Sequence, residues 1–406
     1  MQSADSKTSK FLIASIVVLD AMGIGIIIPV LPNLLTDVLN DNSLGDAALW
    51  GGVLASIFAI MQFLFSPVLG TLSDQVGRKP VLVIALFFMI FYYLIMAWAQ
   101  SIWLLLFGRI IGGITAATHS TASAYMADIS KPEDKAKNFG LIGAGFGVGF
   151  VLGPIIGGLL GELGPRAPFY MAAALSAINL ALCILLLPET VTDKIRKTFT
   201  WRGANPLGAF VAISKFDSLR PLLVVMLFYA IGTAVYASIW PFYTAEKFDW
   251  DPGMIGLSLT VYGICFAIVQ GTMVGPCIKK FGERTTVFIG FVFEMMALLA
   301  IAIVWNGWLL IALTPLASLG VISTPAIQAM MSKRIDDKSQ GALQGVLGST
   351  NAIAMIVTPL LMTWLFSIFS DRNGAVYFPG APFLAATFLI LICVVLFFKI
   401  RHPSGS

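Results

Sequence analysis

Gly70-Thr-Leu-Ser-Asp74-Gln-Val-Gly77-Arg78-Lys79-Pro80 is a short charged stretch between two apolar runs. It returns in altered form 205 positions later, where Gly275 and Gly282 keep the seven-residue spacing among Lys279, Lys280, Glu283 and Arg284. At the same offset Gly140 pairs with Gly345, Gly143 with Gly348 and Pro154 with Pro359. Ala167-Pro168-Phe169 recurs as Ala381-Pro382-Phe383 at an offset of 214, which one longer loop explains. The chain therefore reads as two related halves, residues 1–188 and 219–406, with 189–218 as a polar tether carrying Lys194, Arg196, Lys197 and Arg202.

Composition says where these halves reside. Of the 406 residues 58% are hydrophobic and 11% charged, against about 25% charged in a soluble domain, and the mean hydropathy is +0.90. A crossing helix needs about 20 mostly apolar residues, and only helices or closed barrels satisfy their backbone in hydrocarbon. Runs near 11–35, 48–72, 80–99, 102–127, 139–162, 167–188, 219–243, 253–278, 285–304, 307–331, 341–369 and 382–400 are too long for barrel strands. Twelve helices follow, six per half: an all-α membrane protein of two pseudo-symmetric six-helix bundles. The run from Phe11 is too long for a signal peptide and lacks a small-residue cleavage site.

Lys and Arg collect in cytoplasmic loops. With both termini inside, all of the 25 basic residues except Arg109, Arg166, Lys247 and Arg372 fall in inner segments. The net charge of +4 is thus a topological signal and marks no nucleic-acid site. The four cysteines, Cys183, Cys265, Cys277 and Cys393, lie scattered in apolar runs without metal-ligand or paired spacing. No Walker-type phosphate loop, metal cluster or nucleophile arrangement is legible, which argues against an enzyme, a cofactor or an ATP-driven pump.

A charge at mid-bilayer is costly and usually faces a polar cavity. Asp20 in the first span, Arg109 in the fourth and Glu294 in the ninth are such charges. An acid whose surroundings change between two conformations takes up a proton on one side and releases it on the other, so Asp20 and Glu294 are candidates for proton coupling, with Arg109 a neighbouring cation that lowers an acid's pKa. The other reading of each is a buried structural charge, paired once and inert, a guanidinium such as that of Arg109 being often used to tie helices together. Gln62, Tyr92, His119, Phe266, Gln270, Gln328 and Asn351 are candidate cavity residues, although interhelical hydrogen bonds account for such polar groups as well. In the fifth span Gly143, Gly145, Gly147, Gly149, Gly153 and Gly157 make overlapping small-xxx-small pairs that admit a second helix closely, and Gly153-Pro154 should bend the helix.

Over nearly its whole length the chain resembles the major facilitator superfamily, and within it the drug:proton antiporters of the tetracycline-efflux type. The segment with Gly70, Asp74, Gly77 and Arg78 resembles the signature loop that latches the cytoplasmic side. Leu106-Phe-Gly-Arg109-Ile-Ile-Gly112-Gly113 is similar to the span-4 motif whose arginine is implicated in proton coupling. The segment with Gly149, Gly153, Pro154 and Gly157 is similar to the span-5 antiporter motif, a hinge. Leu19-Asp20-Ala-Met-Gly23-Ile-Gly25 and Gln340-Gly341-Ala-Leu-Gln344-Gly345 resemble the tetracycline branch in particular.

The resemblance implies one central cavity, alternately open to either side, and functional acids at Asp20 and Glu294. It departs at two places: Tyr92 stands where the tetracycline carriers have an acid, and Phe266 where they have a histidine. The expected function is proton-coupled export of small amphipathic organic molecules, tetracycline-like or multidrug, by a monomer in a bacterial inner membrane. The expected partners are a small-molecule substrate, protons and the lipid bilayer. The alternative is an exporter or symporter of an endogenous metabolite such as a siderophore, sugar or vitamin precursor.

Overall fold

The computed structural model describes residues 6–400 except 42, 117, 193–195, 197, 202–203, 207, 209–218 and 337–338. Most of the polar tether lies outside the described residues. Among the described residues twelve helices are long and apolar enough to cross a membrane. They are α1 (Ser9–Leu39), α2 (Leu44–Val76), α3 (Arg78–Trp98), α4 (Ile102–Ile129), α5 (Lys137–Gly161) and α6 (Ala167–Leu186), then α7 (Arg220–Phe248), α8 (Pro252–Thr272), α9 (Val274–Ile303), α10 (Gly307–Ser332), α11 (Gln340–Phe369) and α12 (Ala381–Lys399). The all-helical reading and the number of spans hold.

The signature stretch differs from the expected loop. α2 runs on through Ser73 and Asp74 to Val76, and α3 begins at Arg78, so a single residue breaks the helix. That residue is Gly77, at φ 118° and ψ 154°, a region open essentially to glycine alone. Gly282 takes φ 76° and ψ 164° inside α9. The expected loop at 279–284 is accordingly a helical stretch bent at that glycine. Pro80 is tolerated beside the break because the first helical turn needs no N–H partner.

Contacts divide the chain into two units. Unit 1 comprises 1–42, 57–208 and 251–260; unit 2 comprises 43–56, 209–250 and 261–406. In unit 1, α1 packs on α5 and α6, and α3 on α4 and α6. The α1–α5 seam is nearly backbone on backbone: side chains added at Gly149, Gly153 and Gly157 would strike the carbonyls of Val18, Met22 and Ile26. In the apolar core beside it Ile13, Ile16, Leu82, Leu86 and Tyr125 are buried. In unit 2, α9 packs on α10 and α12, and α7 on α11 and α12, around buried Phe291, Phe366, Phe383 and Tyr243.

The repeat is written into contacts as well as residues. Pro168 and Pro382 sit in the first turns of α6 and α12, and Pro154 and Pro359 lie inside α5 and α11. Ser101 caps α4 by accepting from Leu104 N, and Asn306 caps α10 by accepting from Trp308 N and Leu309 N. Each satisfies backbone donors that a helix start leaves open. Ser56 donates to the Ile356 carbonyl at 2.7 Å within unit 2, and Thr260 lies 3.5 Å from the Val151 carbonyl within unit 1.

Candidate functional site

In unit 1 the Arg109 guanidinium lies 5.7 Å from the centre of the Phe58 ring and 6.0 Å from that of Tyr92. The motif glycines make this possible. A Cβ at Gly112 would meet the Tyr92 ring at 2.8 Å, and one at Gly113 would meet the Met61 side chain at 2.7 Å, so both let aromatic-bearing helices close on α4. Arg109 Nε is buried without a hydrogen-bond partner. The aromatic faces attract the cation, by about 0.5–2 kcal/mol for such contacts, and among the described residues no carboxylate pairs with it.

Tyr92 and Tyr93 are both buried, with rings 4.8 Å apart. Tyr93 lies within the electrostatic reach of both Asp20 and Arg109. Asp20, half-buried on α1, has no ion pair among the described residues. Its nearest helix turn carries Gly23, where a Cβ would lie 2.9 Å from the Tyr93 hydroxyl. Gln62 donates to the Ala116 carbonyl at 3.3 Å, which is an interhelical tie.

The signature stretch forms a network at the α2–α3 break. Arg78 pairs with Asp74 one turn earlier, bonds Asp128 at 3.1 Å and donates to Ser73 at 2.6 Å. The Glu189 carboxylate accepts from the backbone N–H of Arg78 at 2.9 Å and of Lys79 at 3.0 Å. Lys79 Nζ reaches the Ile184 carbonyl at 2.8 Å. Asp128 and Glu189 were not singled out from sequence, since neither lies near the motif in the chain.

In unit 2 Glu294 is 2% exposed. A Cβ at Gly320 would fall on its carboxylate, so that glycine is the space the carboxylate occupies. Tyr229 donates to the Gly320 carbonyl at 3.0 Å and holds this turn in place. Tyr229, Tyr236 and Tyr262 all interact electrostatically with Glu294. None of the three tyrosines was distinguished by the sequence reading.

The remaining candidates do not gather at either acid by any described hydrogen bond. Phe266 meets Tyr262 at a tilt, with centroids 6.2 Å apart and planes inclined at 42°. Gln270 and Asn351 are exposed and Gln328 is half-buried; the side chain of His119 lies outside the described residues. A depression of about 710 Å³ in unit 1 is lined instead by Asp37, Asn40, Trp98, Gln100, Arg166 and Tyr170, with Arg166 tied to Asp37 and to the Ala99 carbonyl.

The profile of the Major Facilitator Superfamily matches residues 13–231 and 222–406, one copy over each half. The chain belongs to this superfamily. This carrier is 38% identical over 390 residues to the class C tetracycline resistance protein of Escherichia coli, covering 96% of each chain. It is 36% identical over 393 residues to the class H protein of Pasteurella multocida, covering 95% of each. Among solved structures, nucleoside transporter NupG superposes with a TM-score of 0.79 at 15% identity, covering 96% of the carrier and 99% of that chain. A bacterial homologue of the human lysosomal transporter Spinster, inward-facing and unoccupied, gives 0.76 at 15% identity, with each chain fully covered. The resemblance to the superfamily and to tetracycline-resistance proteins thus holds at the level of whole chains.

Proposed function

We propose that this carrier exports small amphipathic organic molecules, tetracycline-like compounds among them, in exchange for protons. The observation that carries the reading is the pair of membrane-embedded acids, Asp20 and Glu294, one in each unit and neither in an ion pair among the described residues. An inert structural acid is ordinarily paired and fully bonded, whereas an acid that must gain and lose a proton needs a place where both forms are tolerable. Whole-chain identity to tetracycline resistance proteins supports drugs as the cargo class.

Protonation of Asp20 or Glu294 removes a charge from an enclosed site and shifts the balance between two conformations by the difference in proton affinity between them. Cargo enters from the cytoplasm, and protons arriving from outside displace it. Arg109, stacked between Phe58 and Tyr92, reads the charge state of unit 1 through Tyr93. The Asp74–Arg78–Asp128 network latches one conformation at the inner face, and the Gly149–Gly157 seam of α5 is the hinge. The carrier works as a monomer in a bacterial inner membrane, with both termini cytoplasmic and no covalent chemistry.

The test is exchange in proteoliposomes under an imposed pH gradient, with tetracycline and a panel of amphipathic dyes as cargo. Gradient-driven transport should disappear in Asp20→Asn and Glu294→Gln while cargo binding persists. Transport in both variants that still follows the gradient would remove these acids from the coupling step.

A further inference from the structure

Two polar atoms of unit 2, Oε1 of Glu294 and the hydroxyl of Tyr236, are each closed off from solvent, and each lacks a hydrogen bond of ordinary geometry. Tyr236 is the side chain whose hydrogen bonding bears on the Glu294 carboxyl. A buried donor and a buried acceptor that both lack a well-formed bond are unusual in a packed interior, where nearly all buried polar groups find partners. The surroundings make the pairing available and little else. Tyr229 is committed to the Gly320 carbonyl at 3.0 Å. Tyr262 lies along the Tyr236 ring, with centroids 6.2 Å apart and planes inclined at 26°, and Phe383 and Trp240 pack beside it.

Among the described residues no ion pairs with Glu294. α7 and α8 contribute Tyr229, Tyr236 and Tyr262; α7 also carries Arg220 at its start and, at its end, Tyr243, Glu246 paired with Arg372, and Lys247 bonded to the Tyr243 hydroxyl and the Ala302 carbonyl, and α8 carries Cys265. α10 and α11 carry no ionisable side chain between Gly307 and Ser332 or between Gln340 and Phe369. α12 contributes Cys393, whose thiol faces the Val225 carbonyl at 3.5 Å, and Lys399 at its end. On α9 itself the nearest charge is Arg284, ten residues away or about 15 Å along the helix, and bonded to the Ile400 carbonyl.

We propose that Tyr236 is a positioning residue for proton exchange at Glu294, its hydroxyl turning to donate to the carboxylate once the proton has left and releasing it when the proton returns. In the conformation that admits water to Glu294 the carboxyl O–H bond breaks and its proton passes to that water; Tyr236 keeps its own proton throughout. Gly320 contributes by leaving the carboxylate room to turn, which any side chain there would fill. The inference rests on the reading of Glu294 as a coupling acid, and the experiment separates the two.

The measurement is infrared difference spectroscopy of the purified full-length carrier in lipid nanodiscs, following the protonated-carboxyl band as pH is varied. Glu294→Gln should remove one titrating band and so identify it. In Tyr236→Phe the midpoint of that band should move to higher pH by about one unit, since a hydrogen bond to the charged form is lost. Tyr229→Phe, which removes a hydroxyl already committed elsewhere, should leave the midpoint in place. An unmoved midpoint in Tyr236→Phe, or an equal shift in Tyr229→Phe, overturns the assignment to Tyr236 alone. If Glu294→Gln removes no band, the coupling role of Glu294 falls and this inference with it. Should Tyr236→Phe not fold, 3-fluorotyrosine at position 236 keeps the ring and strengthens the donor, and must move the midpoint to lower pH.

Discussion

Glu283 bonds Lys333 at 2.7 Å, 205 residues beyond the bond of Arg78 to Asp128 at 3.1 Å, so one contact is kept in both halves with its charges exchanged. A further contact repeats alongside it. Lys79 reaches the Ile184 carbonyl, and its counterpart Arg284 reaches the carbonyls of Phe398 and Ile400. What the fold retains is an opposite-charge tie at a glycine break, whichever helix carries which sign. The reciprocal exchange Glu283→Lys with Lys333→Glu should therefore preserve export, while Glu283→Lys alone should impair it by setting like charges together. Lys333 is 72% exposed, so the stability at stake is that of a surface pair, about 0.2–1 kcal/mol. Thermal unfolding in detergent and initial export rates in proteoliposomes distinguish these outcomes, and an exchange variant as impaired as the single one would refute the equivalence.

The first copy is the more enclosed, and its loss should cost more. Arg78 is 11% exposed and binds Asp74, Asp128 and Ser73 together. Asp74→Asn leaves Asp128 and Ser73 in place and removes one charge from a three-point site. If the latch holds one conformation, turnover should fall about tenfold, the equivalent of about 1.4 kcal/mol, with cargo affinity nearly unchanged. Parallel measurement of equilibrium binding and export rate tests this; equal losses in both would point to a folding defect and away from the latch.

Gly320 and Glu294 compete for one space. Gly320→Ala places a methyl on the carboxylate, and overpacking of this kind costs about 1–3 kcal/mol. The shorter side chain in Glu294→Asp withdraws the carboxylate by one methylene, so the double variant should recover most of the thermal stability that Gly320→Ala loses. A double-mutant cycle on unfolding temperature reads the coupling between the two positions directly. Additive effects would mean that the alanine is accommodated elsewhere.

Parts of this were legible in the chain and parts were not, for physical reasons. Gly77 and Gly282 stand out because their backbone angles exclude other residues, and Pro168 and Pro382 because a helix start tolerates proline. Asp20, Arg109 and Glu294 stand out because charge is rare in apolar runs. The partners of those charges carry no such mark. Tyr93, Tyr236 and Gly320 are ordinary residues of apolar helices, and they meet an acid only through packing between segments distant in sequence. The exchanged ion pair escaped notice because alignment of the halves by residue type sees Arg78 against Glu283 as a mismatch. The single-residue break at Gly77 read as a loop because Ser73 and Asp74 are polar, yet their side chains bond within the turn and let α2 continue.

Four repeated glycines make the sharpest contrast. A Cβ at Gly52 would press on the Thr363 hydroxyl and lie 2.8 Å from the Pro359 carbonyl, and one at Gly256 would press on the Pro154 carbonyl and lie 3.2 Å from Gly158 Cα. The obstacle at Gly256 is backbone, and that at Gly52 is the Pro359 carbonyl together with a Thr363 side chain whose hydroxyl is held on that carbonyl, so neither steps aside as a free flexible side chain does. Gly143 and Gly348, also related by the repeat, have open space where a Cβ would go. In a helix interior with free space, glycine to alanine should gain about 0.5–1 kcal/mol from backbone entropy alone. Gly143→Ala and Gly348→Ala should accordingly be neutral or stabilising with export intact. Gly52→Ala and Gly256→Ala should each destabilise by about 1–3 kcal/mol and slow export, because α2 on α11 and α8 on α5 can no longer close to the same distance. Thermal unfolding of the four single variants, with export rates beside it, decides the matter. If all four behave alike, the density of glycine in these helices reflects something other than close approach.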